Sequence, residues 1–164
     1  MAYARAALVV IAVAIGLGAM AGAADAPASR DEVQRFVRAY IDATNAADPD
    51  AVMGMVSRKP EVSRAEMGVI NRGFEAIRSE VEKLAGTGGT HHVSLGTMDV
   101  TFLGQGYALV VAPVTIDLSS DESQAEMRAA MTLVLEKSSG KWKVIHEHHS
   151  LQFPQEDVPG GAAD

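Results

Sequence analysis

Gly140-Lys141-Trp142-Lys143-Val144-Ile145-His146-Glu147-His148-His149-Ser150-Leu151-Gln152-Phe153 is the stretch whose reading decides the fold. It leaves a Ser138-Ser139-Gly140 turn, holds the only Trp, and carries three of the five His around a single acid. Its alternation marks a long strand. Strict alternation puts Trp142, Val144, His146, His148 and Ser150 on one face, and Lys143, Ile145, Glu147, His149 and Leu151 on the other.

Working back from this strand, the period stays at two. Three more long strands are predicted over 93–103, 107–118 and 125–137, separated by Gly104-Gln105-Gly106 and Ser119-Ser120-Asp121. Met127, Ala129, Met131, Leu133 and Leu135 form a core face on the third of these. Pro113 cannot donate to a ladder, so a bulge or bend is expected there.

Upstream of His91 the period is helical. Ser29 stands three residues before Glu32 as a capping box, and Val33, Phe36, Val37, Tyr40, Ile41 and Thr44 recur on one helical face. Asp48-Pro49 restarts the chain as a cap followed by Pro at the first helical position, with Val52, Met55 and Val56 on one face. Pro60 ends that helix, and Glu61 to Arg72 suggests a small hairpin. Phe74, Ile77, Val81 and Leu84 mark a third helix, closed by Gly86-Thr87-Gly88-Gly89. Helices followed by a long antiparallel sheet give an α+β domain over 31–153, its sheet bent around a helix into a cone with an internal pocket.

The flanks read differently. One charge at Arg5, an apolar run from Ala6 to Ala19 and small residues at Ala21-Gly22-Ala23 have the layout of a secretory signal peptide over 1–24. A secreted or periplasmic protein with no stable membrane anchor after cleavage is therefore expected. The acidic, Gly/Ala-rich tail over 154–164 predicts disorder. With 164 residues and no Cys, the chain is one domain that cannot use disulfides or thiolate chemistry. A net charge of −7 argues against nucleic acid as a partner.

Three local motifs carry a family resemblance. Asn45-Ala46-Ala47-Asp48-Pro49-Asp50-Ala51-Val52 resembles the junction between the first two helices of SnoaL-like domains in the nuclear transport factor 2-like superfamily. Arg72-Gly73-Phe74-Glu75-Ala76-Ile77-Arg78 resembles the start of their third helix. Gly140-Lys141-Trp142 through His146-x-His148-x-Ser150 resembles their last strand, and that of the association domain of calcium/calmodulin-dependent protein kinase II. The resemblance implies a cone-shaped fold, with three N-terminal helices on a strongly bent antiparallel sheet. It also implies that Ile145, Glu147 and His149 line the cone interior, while Trp142, His146 and His148 pack outward, often against a second subunit.

Glu147 and His149 are then an acid and a base on one face, with Tyr40 reaching them from the first helix, an arrangement suited to general acid–base work. A hydrogen-bonded polar pair at a pocket mouth is the simpler and favoured reading of them. Phe36, Phe74, Met131, Leu133 and Ile145 are the expected ligand-binding wall. The ketosteroid isomerase branch needs a Tyr on the first helix, matched by Tyr40, and two acids. These fall near Val62-Ser63-Arg64 and Met131-Thr132, where none stands in register, which argues against that mechanism. His146 and His148 have chelating spacing but lack an evident third ligand, so neither a metal nor another cofactor is expected.

The leading expectation is an exported, homodimeric domain holding a small, largely apolar molecule. The alternatives are a cofactor-independent isomerase- or cyclase-like enzyme using Tyr40, Glu147 and His149, and an oligomerisation module.

Overall fold

In the computed structural model, described over residues 29–86, 90–119 and 124–152, three helices pack on an open, curled seven-stranded sheet. The expected leader and acidic tail lie outside the described residues. No helix among the described residues is long and apolar enough to cross a membrane.

The caps fall where the local chemistry demands. Helix α1 (Arg30–Asn45) begins where Ser29 Oγ accepts the Glu32 backbone N–H at 3.1 Å, and it buries Val33, Val37, Tyr40 and Ile41. Asp48 caps α2 (Pro49–Met55) by accepting from the Ala51 N–H at 2.9 Å. This helix buries Val52 and Met53 and leaves Met55 half-buried, while Val56, beyond its end, bridges to Val144. Helix α3 (Phe74–Ala85) buries Phe74, Ile77 and Val81 and exposes Leu84.

The hairpin expected before α3 consists of β1 (Ser63–Glu66) and β2 (Val69–Arg72). Met67 and Gly68 between them both have positive φ, the two-residue turn that matches strand twist. The remaining strands are β3 (Thr90–Leu95), β4 (Asp99–Gly104), β5 (Tyr107–Ser119), β6 (Gln124–Ser138) and β7 (Lys141–Gln152). Sheet order is β2-β1-β7-β6-β5-β3, with β4 also on β5. The sheet is not wholly antiparallel, because β1 runs parallel to β7.

Two features depart from simple alternation. The single strand expected over 93–103 is split into β3 and β4. Pro113 on β5 keeps continuous register with β6, but on its other side its carbonyl accepts from Gly96 N–H at 2.9 Å, between the two short strands. A Cβ at Gly96 would lie 2.8 Å from Pro113 Cγ, so only glycine permits this approach. The missing Pro N–H thus interrupts its neighbour and not its own strand.

The second departure is on β7. Val134 pairs with His146 but Leu135 pairs with Val144, so Ile145 is an extra residue, a β-bulge. Alternation reverses across it. Trp142 and Val144 share the inner face with Glu147, His149 and Leu151; all but the half-buried Leu151 are buried. The expectation that Trp142 packs outward is therefore corrected: it is 4% exposed and belongs to the core with Leu135 and Val144. His146 and His148 do lie on the outer face, beside Ser63, Thr132 and Val134.

Trp142→Ala should accordingly destabilise the isolated subunit by about 3–5 kcal/mol, as for a buried aromatic. Urea unfolding measures it. A loss under about 0.5 kcal/mol, ordinary for a surface site, would contradict the inward placement.

Candidate functional site

The site is assembled from three elements that sequence separation hides. Tyr40 projects from the buried face of α1, one turn before its end. Asn45 fixes that end to the sheet: its side-chain amide donates to Val93 O at 3.0 Å and accepts from Val93 N–H at 2.7 Å. The parallel pairing of β1 with β7 sets Arg64 beside Glu147 and Glu66 beside His149. The bulge at Ile145 turns Glu147 and His149 inward to meet them.

Glu147 is the centre. Its Oε2 accepts from Tyr40 Oη–H at 2.7 Å and lies 3.7 Å from Arg64 Nε. Its Oε1 is 3.6 Å from His149 Nε2. Glu66 Oε2 accepts from an Arg64 Nη at 3.0 Å, while Glu66 Oε1 stands 3.8 Å from His149 Nδ1. His149 is 8% exposed, and its Nδ1, like Arg64 Nε, is buried without a hydrogen-bond partner.

The electrostatics follow from this packing. Burial pushes the Glu147 carboxyl up, but Arg64, then His149, then the Tyr40 hydrogen bond outweigh it and hold the group below its ordinary value. Burial first, then the Glu147 carboxylate, push the Tyr40 hydroxyl well above its usual range. Burial also works against the Arg64 charge, but Glu147, Tyr40 and Glu66 together keep the guanidinium more firmly protonated than usual. At neutral pH the site therefore holds a neutral Tyr40 committed as donor to an ionised Glu147, braced by a cationic Arg64.

These groups form one end of a cavity of about 400 Å³. Ile41, Val52, Val81, Val93, Ile116 and Met127 supply apolar wall, and Thr44, Asp48 and His91 also line it. Met67, Leu84 and Leu118, exposed by 68%, 40% and 38%, mark its opening. The volume lies in the range of small-molecule sites.

Tyr40, Glu147 and His149 thus meet in one cavity, but the expected ligand-binding wall does not. Met131 and Leu133 are wholly buried in the core, farther along β6 than the lining residues Ala125 and Met127. Phe74 is core, with the Arg58 guanidinium 4.3 Å from its ring centroid. Phe36 packs half-buried on that core, and Ile145 is the bulged residue. None of the five lines the cavity.

Arg64 and Glu66 went unrecognised as site residues. Their spacing of two places them on one strand face, but nothing local announces a parallel partner more than eighty residues away. On the outer face, His146 Nδ1 is 2.9 Å from Ser63 Oγ and His148 is exposed. Among the described residues, no three His, Asp or Glu side chains are placed to hold a metal ion.

The same architecture occurs in solved structures. A nuclear transport factor 2-like superfamily protein from Salmonella enterica serovar Typhimurium superimposes with a TM-score of 0.68 at 15% identity, covering 80% of this chain and 96% of that one. A proposed calcium/calmodulin dependent protein kinase II association domain from Xanthomonas campestris gives 0.65 at 20% identity, covering 79% and 91%. A proposed dehydratase of the nuclear transport factor 2-like family from Streptomyces avermitilis gives 0.68 at 16% identity, covering 75% and 95%. At these identities the likeness is one of fold alone. No curated protein matches the chain. A family model described as the SnoaL-like domain, however, matches residues 33–154, most of the chain and every element that builds the cavity. On that match the chain belongs to the SnoaL-like domain family, and it has the fold of the nuclear transport factor 2-like structures above.

Proposed function

We propose that this domain binds a small, largely apolar molecule in the cavity, with the molecule's polar end at Tyr40, Arg64, Glu66, Glu147 and His149. The observation that carries this is the two-part lining: aliphatic walls open to solvent at one end, and a buried charged cluster at the other. Burying an acid and a guanidinium is costly, and apolar residues of similar volume often serve stability as well. Their retention at a cavity wall, instead of in the closed core, favours a ligand-facing role.

A second reading, general acid–base catalysis, is favoured by one atom. His149 Nδ1 is buried and unpartnered at the cavity, while its Nε2 faces Glu147. In this reading His149 takes a proton from the bound molecule, and the fixed Glu147 charge stabilises the resulting imidazolium. Tyr40 holds Glu147 in place and is not itself the acid, because its proton is committed and its hydroxyl is pushed up.

Native mass spectrometry of the purified protein identifies any molecule retained in the cavity. With that molecule as probe, Glu147→Gln and His149→Ala should change affinity by the roughly 1–3 kcal/mol of a lost buried hydrogen bond. If the domain catalyses, turnover should fall by roughly 10²–10⁴-fold. Unchanged binding and turnover in both variants would refute the assignment of this cavity.

We further propose a homodimer through the outer sheet face, where Leu109, Val111, Pro113, Ala130 and Val134 neighbour one another across β5 and β6. Three of the five are half-buried or exposed apolar side chains of Leu or Val, a surface a partner would cover. Trp142 and Val144 take no part, since the core holds them. Light scattering at micromolar concentration should give twice the subunit mass; the mass of one subunit would contradict this.

A further inference from the structure

The charges at the cavity say which kind of polar end the bound molecule carries. Among the described residues three carboxylates line it, Asp48, Glu66 and Glu147, against one permanent cation, Arg64, and no Lys. That cation is already engaged: one Nη donates to Glu66 at 3.0 Å and Nε stands 3.7 Å from Glu147. Asp48 is occupied as the cap of α2. Arg64 Nε, buried without a hydrogen-bond partner, faces Glu147; away from it, Glu66 Oε1 and the buried, unpartnered His149 Nδ1 stand 3.8 Å apart, too distant to satisfy each other.

A His149 protonated on Nε2 calls for a donor opposite Nδ1. It is 8% exposed, and its Nε2 faces Glu147 Oε1 at 3.6 Å. With its proton on Nε2, toward that carboxylate, Nδ1 presents a buried lone pair with nothing to accept from. Glu66 Oε1 beside it is likewise an acceptor. A carboxylate would bring more acceptors and a third negative charge against Glu66 and Glu147. A hydroxyl has one proton and can satisfy only one of the two atoms. An ammonium has three donors, no acceptor, and a charge that offsets the local excess of carboxylates.

Resting on the binding role proposed above, we infer that the cavity takes an apolar amine. Its protonated amino group donates to Glu66 Oε1 and His149 Nδ1, and its hydrocarbon body lies on Ile41, Val52, Val93, Ile116 and Met127.

Isothermal titration calorimetry of the full chain at neutral pH with 1-octylamine, 1-octanol and octanoate tests it. The three share a hydrocarbon body and differ in the head. Octylamine should bind about tenfold or more tighter than octanoate, and more tightly than octanol, as expected for a charge-assisted pair. Glu66→Gln should remove most of the amine's advantage over the alcohol. Octanoate binding as tightly as octylamine would overturn the inference, as would an advantage that survives Glu66→Gln. Octanol binding with no gain from the amine would overturn the head-group assignment and leave the cavity as a binding site. Failure of all three to bind would sink both claims.

Discussion

One extra residue in one strand makes the site compatible with the core. Ile145 bulges out of the β6–β7 ladder, and the inner face of β7 therefore runs Trp142, Val144, Glu147, His149. Without the bulge, a strand that buried Trp142 and Val144 would turn Glu147 and His149 to the outer face. The same strand then could not both close the core and charge the cavity. Bulges re-aim side chains in this way at the cost of one unpaired residue and a local increase in twist. Here the cost falls on a half-buried isoleucine.

The inward turn of Glu147 imposes the rest of the site. A buried carboxylate is tolerated only with compensating charge and hydrogen bonds. The supply comes from both sides: Arg64 from β1, held in register by the parallel pairing with β7, and Tyr40 from α1, whose end is tied to β3 by the two Asn45 bonds. The hairpin, the first helix and the last strand are thus coupled through one carboxyl group. His149 and Glu66 complete the array, and His149 Nδ1 and Arg64 Nε are left buried without a hydrogen-bond partner. That incompleteness distinguishes the cluster from a purely structural ion pair. The other acid of the sheet that is buried among the described residues shows the contrast: Glu136 is held by both Ser57 and Lys59, and it does not line this cavity.

Much of the fold was legible in local chemistry. The Ser29 cap, the Asp48-Pro49 restart, the small hairpin and the strand runs after His91 all act over a few residues, and sequence spacing records them directly. Tyr40 could be grouped with Glu147 and His149 because the family resemblance supplied the long-range placement. Strict alternation failed at Ile145 because a bulge has no composition signal when the extra residue is an ordinary β-former. For the same reason Trp142 was assigned to the wrong face. The division of the long strand at Gly96 was hidden because Pro113, its cause, is seventeen positions away. Arg64 and Glu66 escaped notice because their neighbours are set by a parallel pairing that no local pattern encodes. The expected wall of Phe36, Phe74, Met131, Leu133 and Ile145 failed for a different reason. Periodicity marks which side chains turn inward, but not where along the sheet the helices close down and where they leave room.

The claim on which the account turns is that the Glu147/His149 face of β7, and not the His146/His148 face, meets the ligand. The histidine ring signals in 1H–15N NMR spectra separate the two faces directly, with 1-octanol titrated as the probe. The account predicts that the His149 ring resonances move with added octanol while those of His146 and His148 stay in place. Movement confined to His146 and His148, or no movement of any histidine ring, would contradict it.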